Sequence, residues 1–272
     1  MDLTEHLQRH FMAGKTVFVT GGGSGINLAI ASSFARVGAD VAICGRTAEK
    51  LEAAAAQLRA LGARALPVPA DVRDLDAMRA AFARTREELG PVSAVVAGAA
   101  GNFLAPAEKL SSNGFRTVVD IDLQGAFHTA SAAFQDLKET RGALLFVSAG
   151  QSYMPFVQQA HVGAAKAGID SLMRTLALEW GGHGIRCNSI APGPVEGTEG
   201  MERLAETVGH DTWAATTALG RYATKEEIGA MAVVLCSPLA SYVTGVRLDV
   251  DGGTALSGSG IFNAAVARAA AG

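Results

Sequence analysis

Cysteine, excess charge and long hydrophobic runs are all scarce in this 272-residue sequence. Its three cysteines, Cys44, Cys187 and Cys236, are far apart, odd in number and without metal-ligand spacing, which argues against a disulfide framework and a zinc site. The net charge is −3 and the 23 lysines and arginines are spread along the chain, so no basic surface for nucleic acid is predicted. We therefore expect no metal ion and no nucleic-acid partner.

The lack of long hydrophobic runs bears on location. No segment offers about 18 uninterrupted apolar residues, as a membrane span requires. The N-terminus carries Asp2, Glu5 and Arg9 where a signal peptide needs apolar residues, and the tail 259–272 has no peroxisomal targeting tripeptide. These features predict a cytoplasmic protein with no membrane partner.

What the sequence does contain is a series of short apolar runs that alternate with helical stretches. Continuous apolar strands, each followed by a helix, are typical of a parallel sheet that is buried on both faces. We predict an α/β fold, a doubly wound Rossmann-type three-layer sandwich with about seven strands and helices on both faces. One dinucleotide-binding domain spans 1–272, and the irregular segment 194–222 forms a lid over the substrate. The predicted strands are 16–20, 40–45, 65–70, 93–98, 143–149, 186–192 and 246–250, and the predicted helices are 25–38, 47–61, 74–89, 111–137, 160–180 and 225–236.

A glycine-rich turn, TGGGSGIN at 20–27, follows the first strand and opens the first helix. Such a turn lets the backbone approach a pyrophosphate, whose charge then lies among the unpaired N–H groups of the helix N-terminus. An ordinary strand-to-helix turn is the alternative, and the position in a first βαβ unit favours the nucleotide site. Asn27 stands where a third glycine is usual. The predicted cofactor contacts in this turn are Gly21, Gly23, Ser24, Gly25 and Ile26.

The residues after the second and third strands indicate which dinucleotide is bound. The second strand ends in CGRTAEK, with Arg46 where an NAD enzyme would carry a carboxylate for the ribose 2′-hydroxyl. An arginine there favours a 2′-phosphate, hence NADP(H), unless Arg46 is simply a solvated residue. Asp71 and Val72 follow the third strand, where they would hold the adenine ring. Asp71 could equally be a helix N-cap.

Two ionisable residues lie on apolar helical stripes. In helix 111–137, Asp122 shares a face with Phe115, Val118, Val119 and Ala126, whereas Asp120 points elsewhere. Lys166 continues a second stripe, formed with Ile169, Met173, Leu176 and Trp180. A buried carboxylate needs a raised pKa or a cationic neighbour, so we predict that Asp122 and Lys166 pair. Such a pair is either an active site or a purely structural ion pair.

With these residues in view, the chain resembles the short-chain dehydrogenase/reductase family from about residue 14 to 256. Its likeness is greatest to the family's peroxisomal type of 2,4-dienoyl-CoA reductase. The combination of AAGNF with APGPVEGTEG is narrower than the other shared motifs. The stretches that carry the resemblance are TGGGSGI (20–26), AAGNFLAP (99–106), VVDIDLQG (118–125), AHVGAAK (160–166), APGPVEGTEG (191–200) and SPLASYVTG (237–245).

The resemblance also explains a missing residue. The family usually has a tyrosine four residues before the Lys166 position, where this chain has Val162. Dienoyl-CoA reductases of the peroxisomal type are likewise without it. The resemblance implies that Asp122 and Lys166 act as the acid-base pair through an ordered water. It also implies that Lys166 binds the nicotinamide ribose.

Further site residues follow from the same motifs. Asn102 could donate a hydrogen bond to the thioester oxygen, or could merely cap a turn. Ser148 would orient substrate or water. Tyr153 and His161 remain lower-ranked alternatives as proton donors. The remaining predicted cofactor contacts are Ala97, Gly98, Pro192, Gly193 and the backbone around Val195.

The expected function is NADPH-dependent reduction of a 2,4-dienoyl-CoA to a 3-enoyl-CoA in the β-oxidation of unsaturated fatty acids. The partner would be an acyl-CoA thioester, and the family resemblance implies a homotetramer. Two alternatives remain, namely a ketone or 3-oxoacyl reductase of the same family and a protein that senses NADPH without catalysis. Asp122 argues against the first, since carbonyl reductases of the family usually carry asparagine there. The buried charge of Lys166 argues against the second.

Overall fold

The computed structural model describes residues 11–198 and 210–259. The N-terminal charges Asp2, Glu5 and Arg9, residues 199–209 of the predicted lid and all of the tail beyond its first residue lie outside these ranges.

The described residues form one seven-stranded sheet in which every neighbouring pair of strands is parallel, in the order β3-β2-β1-β4-β5-β6-β7. This order confirms the predicted doubly wound α/β fold, and each strand lies within two residues of its predicted bounds. The chain reverses its direction of winding between β1 and β4, which is where ligands bind in such sheets. The strands are β1 (Thr16–Thr20), β2 (Asp40–Gly45), β3 (Ala65–Pro69), β4 (Val92–Ala97), β5 (Ala143–Val147), β6 (Arg186–Pro192) and β7 (Arg247–Val250).

Helices cover both faces of the sheet. The alternation of side chains along a strand supplies two hydrophobic cores, as β1 shows with Val17 and Val19 in one core and Phe18 in the other. α1, α2 and α8 pack on the first face, and α3, α5 and α6 pack on the second. The helices are α1 (Gly25–Arg36), α2 (Ala48–Ala60), α3 (Leu75–Leu89), α4 (Ser112–Val119), α5 (Gly125–Thr140), α6 (Ala160–Trp180), α7 (His210–Ala215) and α8 (Lys225–Cys236).

The structure differs most from the sequence-based prediction at residues 111–137, where a single helix was expected. This segment consists of α4 and α5 joined by a π-helical turn, Asp120–Gln124. A π turn inserts one extra residue into a helix, and such turns are frequent at functional sites. Within α4, Phe115 is 39% exposed, whereas Val118 and, in the π turn, Asp122 are buried. The predicted stripe therefore begins at Val118.

The cysteines take no part in cross-linking. All three are free and buried, and burial raises the pKa of each thiol to about 12. A thiol with that pKa stays protonated at neutral pH and is a poor nucleophile. Among the described helices, none is both long enough and apolar enough to cross a membrane.

Candidate active site

The glycine-rich turn after β1 has the geometry of an anion site. Gly21 and Gly25 adopt φ values of +70° and +60°, which L residues with side chains rarely adopt. Ser24 precedes the first turn of α1, and its side chain makes no capping hydrogen bond. The first N–H groups of α1 therefore point out of the helix without a side-chain cap, as phosphate binding at a helix N-terminus requires.

Asn27, in the place of a third glycine, connects this turn to the end of β4. Its Nδ2 donates a hydrogen bond to the carbonyl of Gly98 over 2.8 Å. A Cβ on Gly98 would overlap the Asn27 amide, so Gly98 is required for this close approach. The N–H groups of Gly98 and Ala99 also donate to Thr20 Oγ1. Gly98 thus fixes the edge of the predicted cofactor cleft beside Ala97.

The two candidate residues for the adenosine end of the cofactor lie close enough to interact electrostatically. Arg46 is exposed at the end of β2, and it makes no ion pair within the described part of the chain. The hydrogen bonds from Arg73, and to a smaller extent the charge of Arg46, hold the pKa of Asp71 below its usual value. Asp71 is not the N-cap of α3, because Asp74 accepts hydrogen bonds from the N–H groups of the first turn.

Val72 packs against the start of α5. It is buried, its methyl groups pack where a Cβ on Gly125 would lie, and its carbonyl is 3.0 Å from His128 Nδ1. This packing places the loop after β3 against the start of α5, next to the π turn.

The structure brings Asp122 and Lys166 together. Asp122 Oδ2 is 3.4 Å from Lys166 Nζ, and the two side chains are 1% and 7% exposed. Lys166 Nζ also donates to the carbonyl of Val147 over 2.9 Å. Asp122 Oδ1 accepts a hydrogen bond from the Gly101 N–H over 2.7 Å. The carboxylate is therefore fixed between the loop after β4 and helix α6.

This environment suits a group that exchanges a proton. Burial raises the pKa of Asp122, and the charge of Lys166 and the Gly101 N–H oppose that rise. Burial favours the neutral acid and the charge of Lys166 favours the carboxylate, so the two effects oppose each other at the proton of Asp122. Acid-base residues in enzymes are commonly tuned in this manner.

The position of the missing tyrosine holds no proton donor. Val162 is buried, and it packs in a small cluster with Val118 and Ala165. Ser148, one residue beyond β5, is also buried, and its Oγ makes no hydrogen bond within the described residues. Neither Val162 nor its cluster partners can donate a proton, so proton transfer would fall to the neighbouring groups.

His161, a lower-ranked candidate from the sequence, has surroundings that the sequence did not indicate. It is completely buried, and its ring lies 4.3 Å from the ring of Phe103, centroid to centroid. Burial lowers the pKa of His161, against the opposing effects of the Phe103 backbone and Asp122. Asn102 lies between Gly101, bound to Asp122, and Phe103, stacked on His161. Asn102 itself is exposed, and its predicted role at the thioester stays a prediction.

Tyr153 points toward β7. The guanidinium of Arg247 lies 3.7 Å from the centre of its ring. Burial and the carboxylates of Asp249 and Asp251 raise its pKa, so the phenol is a weaker acid than a free tyrosine. This environment argues against Tyr153 as the proton donor.

The turn after β6 carries the predicted contacts for the nicotinamide end of the cofactor. A Cβ on Gly193 would collide with the backbone of Asp251, which explains the glycine. Val195 is buried, it pairs with Ala223 in a short bridge, and its carbonyl accepts a hydrogen bond from Thr198. A cavity of about 80 Å³ follows this turn, and its lining includes Pro192, Gly193, Met154, Phe156 and Trp213 of α7.

Comparisons with known proteins agree with this geometry. The family model described as enoyl-(acyl carrier protein) reductase matches residues 21–255. The peroxisomal 2,4-dienoyl-CoA reductase of Saccharomyces cerevisiae, named as (3E)-enoyl-CoA-producing, is 44% identical over 88% of this chain and 84% of its own length. A Bacillus subtilis protein named "Probable 2,4-dienoyl-CoA reductase [(2E)-enoyl-CoA-producing]" is 39% identical over 89% of this chain and 97% of its own.

A solved structure extends the likeness to three dimensions. The crystal structure of a short chain dehydrogenase from Bacillus anthracis superposes with a TM-score of 0.80 at 38% identity. The match covers 89% of this chain and 96% of that protein. The two proteins therefore share a fold over nearly their whole lengths.

Proposed function

Because the chain belongs to the short-chain dehydrogenase/reductase family, we propose that it reduces a 2,4-dienoyl-CoA to a 3-enoyl-CoA with NADPH. The observation that carries this proposal is the buried Asp122–Lys166 pair, 3.4 Å apart, beside a tyrosine position that is filled by Val162. A carbonyl reductase needs a donor for the alkoxide oxygen. A dienoyl-CoA reductase instead needs an acid that protonates a dienolate carbon.

Each residue has a role in this reaction. When bound, NADPH would supply a hydride to the δ carbon of the substrate. Asp122 would hold the proton that reaches the α carbon, directly or through a water. Lys166 would favour return of Asp122 to the carboxylate and would bind the nicotinamide ribose. Asn102 would donate a hydrogen bond to the thioester oxygen, where negative charge develops, and Ser148 would orient the substrate or the water.

The residues of the predicted cofactor cleft would bind a dinucleotide. Gly21, Gly23, Ser24, Gly25 and Ile26 would hold the pyrophosphate, Asp71 and Val72 the adenine, and Ala97, Gly98, Pro192, Gly193 and Val195 the nicotinamide end. The positive φ values at Gly21 and Gly25 and the uncapped start of α1 support this assignment.

The proposed reaction is tested by following NADPH consumption with a 2,4-dienoyl-CoA and, in parallel, with a 3-oxoacyl-CoA of equal chain length. We expect turnover of the dienoyl substrate alone. Reduction of the 3-oxoacyl substrate alone would identify a carbonyl reductase, and tight NADPH binding without either reaction would identify a sensor. Mass and NMR analysis of the product separates the 3-enoyl from the 2-enoyl thioester.

Arg46 provides a test of cofactor choice. Its exposed guanidinium has no ion-pair partner in the described residues, whereas Arg73 is held by Asp71. A charge-assisted hydrogen bond contributes about 1.5–3 kcal/mol. Arg46→Ala should therefore raise the Kd for NADPH about 10-fold to 100-fold and leave the Kd for NADH nearly unchanged, as measured by fluorescence titration.

The matched control for this cofactor test is Arg79→Ala. Arg79 is an exposed arginine on α3 that is paired with Asp76, and its removal should alter neither affinity. Equal losses for NADPH and NADH in Arg46→Ala would contradict a 2′-phosphate contact.

Three broader features belong to the same proposal. The segment 194–222, of which residues 199–209 lie outside the described ranges, would act as a lid over the acyl chain, and Trp213 of α7 beside the turn after β6 supports this role. The chain is a single domain that assembles into a homotetramer, supported by the exposed apolar side chains of Phe127, Leu178 and Tyr242, and light scattering measures the assembly. A cytoplasmic location stays a prediction, tested by fractionation of its cells, since the yeast relative is named peroxisomal.

A further inference from the structure

His161 has a combination of features that packing alone does not explain. It is the second residue of α6, next to Val162, and its side chain is 0% exposed. Both ring nitrogens, Nδ1 and Nε2, are buried without a hydrogen-bond partner in the described residues. Buried polar groups are nearly always hydrogen-bonded in proteins, and the one backbone group that acts on this ring, at Phe103, can serve only one of its nitrogens, so at least one buried nitrogen without a partner points to a functional role.

The surroundings of His161 limit that role. The ring of Phe103 covers one side of the imidazole, and Phe103 in turn lies against Gly114 at the start of α4. The charge that acts on the His161 ring is that of Asp122 in the π turn, and Asp122 is in turn paired with Lys166 on the same helix as His161. Asp122 and His161 each affect the pKa of the other.

Asp122 needs a route by which it regains its proton. In the proposed reaction each turnover removes one proton from this carboxyl, and the carboxyl is only 1% exposed. Its Oδ1 accepts the Gly101 N–H, while Oδ2 is ion-paired with Lys166 at 3.4 Å and makes no closer hydrogen bond in the described part of the chain. Lys166 is held by the Val147 carbonyl and contributes charge. A neutral imidazole, which donates at one nitrogen and accepts at the other, is the side chain best suited to supply the proton.

We propose that His161 returns a proton from solvent to Asp122 between turnovers. This inference rests on the proposed dienoyl-CoA reductase function. A hydronium ion from solvent protonates the free ring nitrogen and leaves as water, and the opposite N–H proton passes to the Asp122 carboxylate, directly or through one water. The imidazole is left neutral as its other tautomer, and proton exchange with solvent restores the first. One solvent proton is consumed and no electrons move, which balances the proton delivered to the α carbon.

The relay predicts a separation between the first turnover and later ones. In stopped-flow experiments, His161→Gln should consume one NADPH per active site at the wild-type rate and then continue about 10²-fold more slowly. Glutamine can make hydrogen bonds at this position but cannot carry the proton. His161→Ala should show the same slow phase, and added imidazole should accelerate it in proportion to its concentration.

The outcomes separate the relay from other roles. If the first turnover and the steady state slow equally in His161→Gln, or if neither slows, His161 does not return the proton. If imidazole fails to accelerate His161→Ala although His161→Gln keeps the native near-ultraviolet circular dichroism, the relay is also excluded. Absence of wild-type dienoyl-CoA turnover would overturn the proposed function and this inference together. The results with the His161 variants overturn only the relay.

Discussion

Asp122→Asn is expected to lower kcat with a 2,4-dienoyl-CoA by about 10²-fold to 10⁴-fold, the usual contribution of a positioned acid or base. Asparagine has nearly the same shape, and its carbonyl oxygen can still accept the Gly101 N–H that Asp122 accepts at 2.7 Å. It cannot carry the proton. NADPH binding should persist, because the hydrogen bond and the ion pair that Asp122 makes among the described residues are with Gly101 and Lys166, and neither is with the glycine-rich turn. Steady-state kinetics and a fluorescence titration of NADPH measure the two quantities.

The same π turn supplies the control for Asp122→Asn. Asp120 is two residues earlier, only partly buried, and its charge acts on the exposed Arg73. Asp120→Asn removes an identical charge from the same turn and should leave kcat within about a factor of two, as surface substitutions usually do. If both variants retain wild-type turnover, the acid is elsewhere, and His161 becomes the first candidate.

The fold was predictable because its strands are short, continuous and apolar. A strand such as β1 is buried on both faces, so it reads as an unbroken run and its bounds are clear in the sequence. The π turn at Asp120–Gln124 was not predictable. Its insertion is stabilised by packing against α6, and helix periodicity in one sequence carries no signal for one extra residue.

The candidate site was only partly predictable, for a similar reason. Asp122 and Lys166 were found because each interrupts an apolar stripe, and two buried charges require each other. His161 gave no such signal, since a single histidine at a helix start is common. Its burial depends on Phe103, which a loop far away in sequence places over the ring. Long-range packing of loops decides such contacts, and local patterns do not encode it.

Lys166→Met is expected to destabilise the protein by about 3–5 kcal/mol at pH 8, the usual cost of leaving one partner of a buried ion pair uncompensated. The loss should shrink at pH 5. Burial raises the pKa of Asp122 above the unfolded value near 3.9, and removal of Lys166 removes the main opposing effect. A carboxyl whose pKa is higher in the folded state than in the unfolded state contributes stability at low pH, and this contribution is lost as the pH rises through the folded-state pKa. The variant should therefore lose most stability at pH 8, where Asp122 must ionise without Lys166 beside it. Urea unfolding at both pH values measures the difference.

Two further variants make the Lys166 prediction specific. The double variant Asp122→Asn/Lys166→Met removes both charges and should recover most of the stability at pH 8, because a buried ion pair is often replaceable by neutral groups. Lys109→Met removes an exposed lysine and should change stability by less than about 0.5 kcal/mol. Equal losses at pH 5 and pH 8 in Lys166→Met, without recovery in the double variant, would mean that Lys166 stabilises the fold by packing its alkyl chain. The charge of Asp122 would then be balanced by the Gly101 N–H alone.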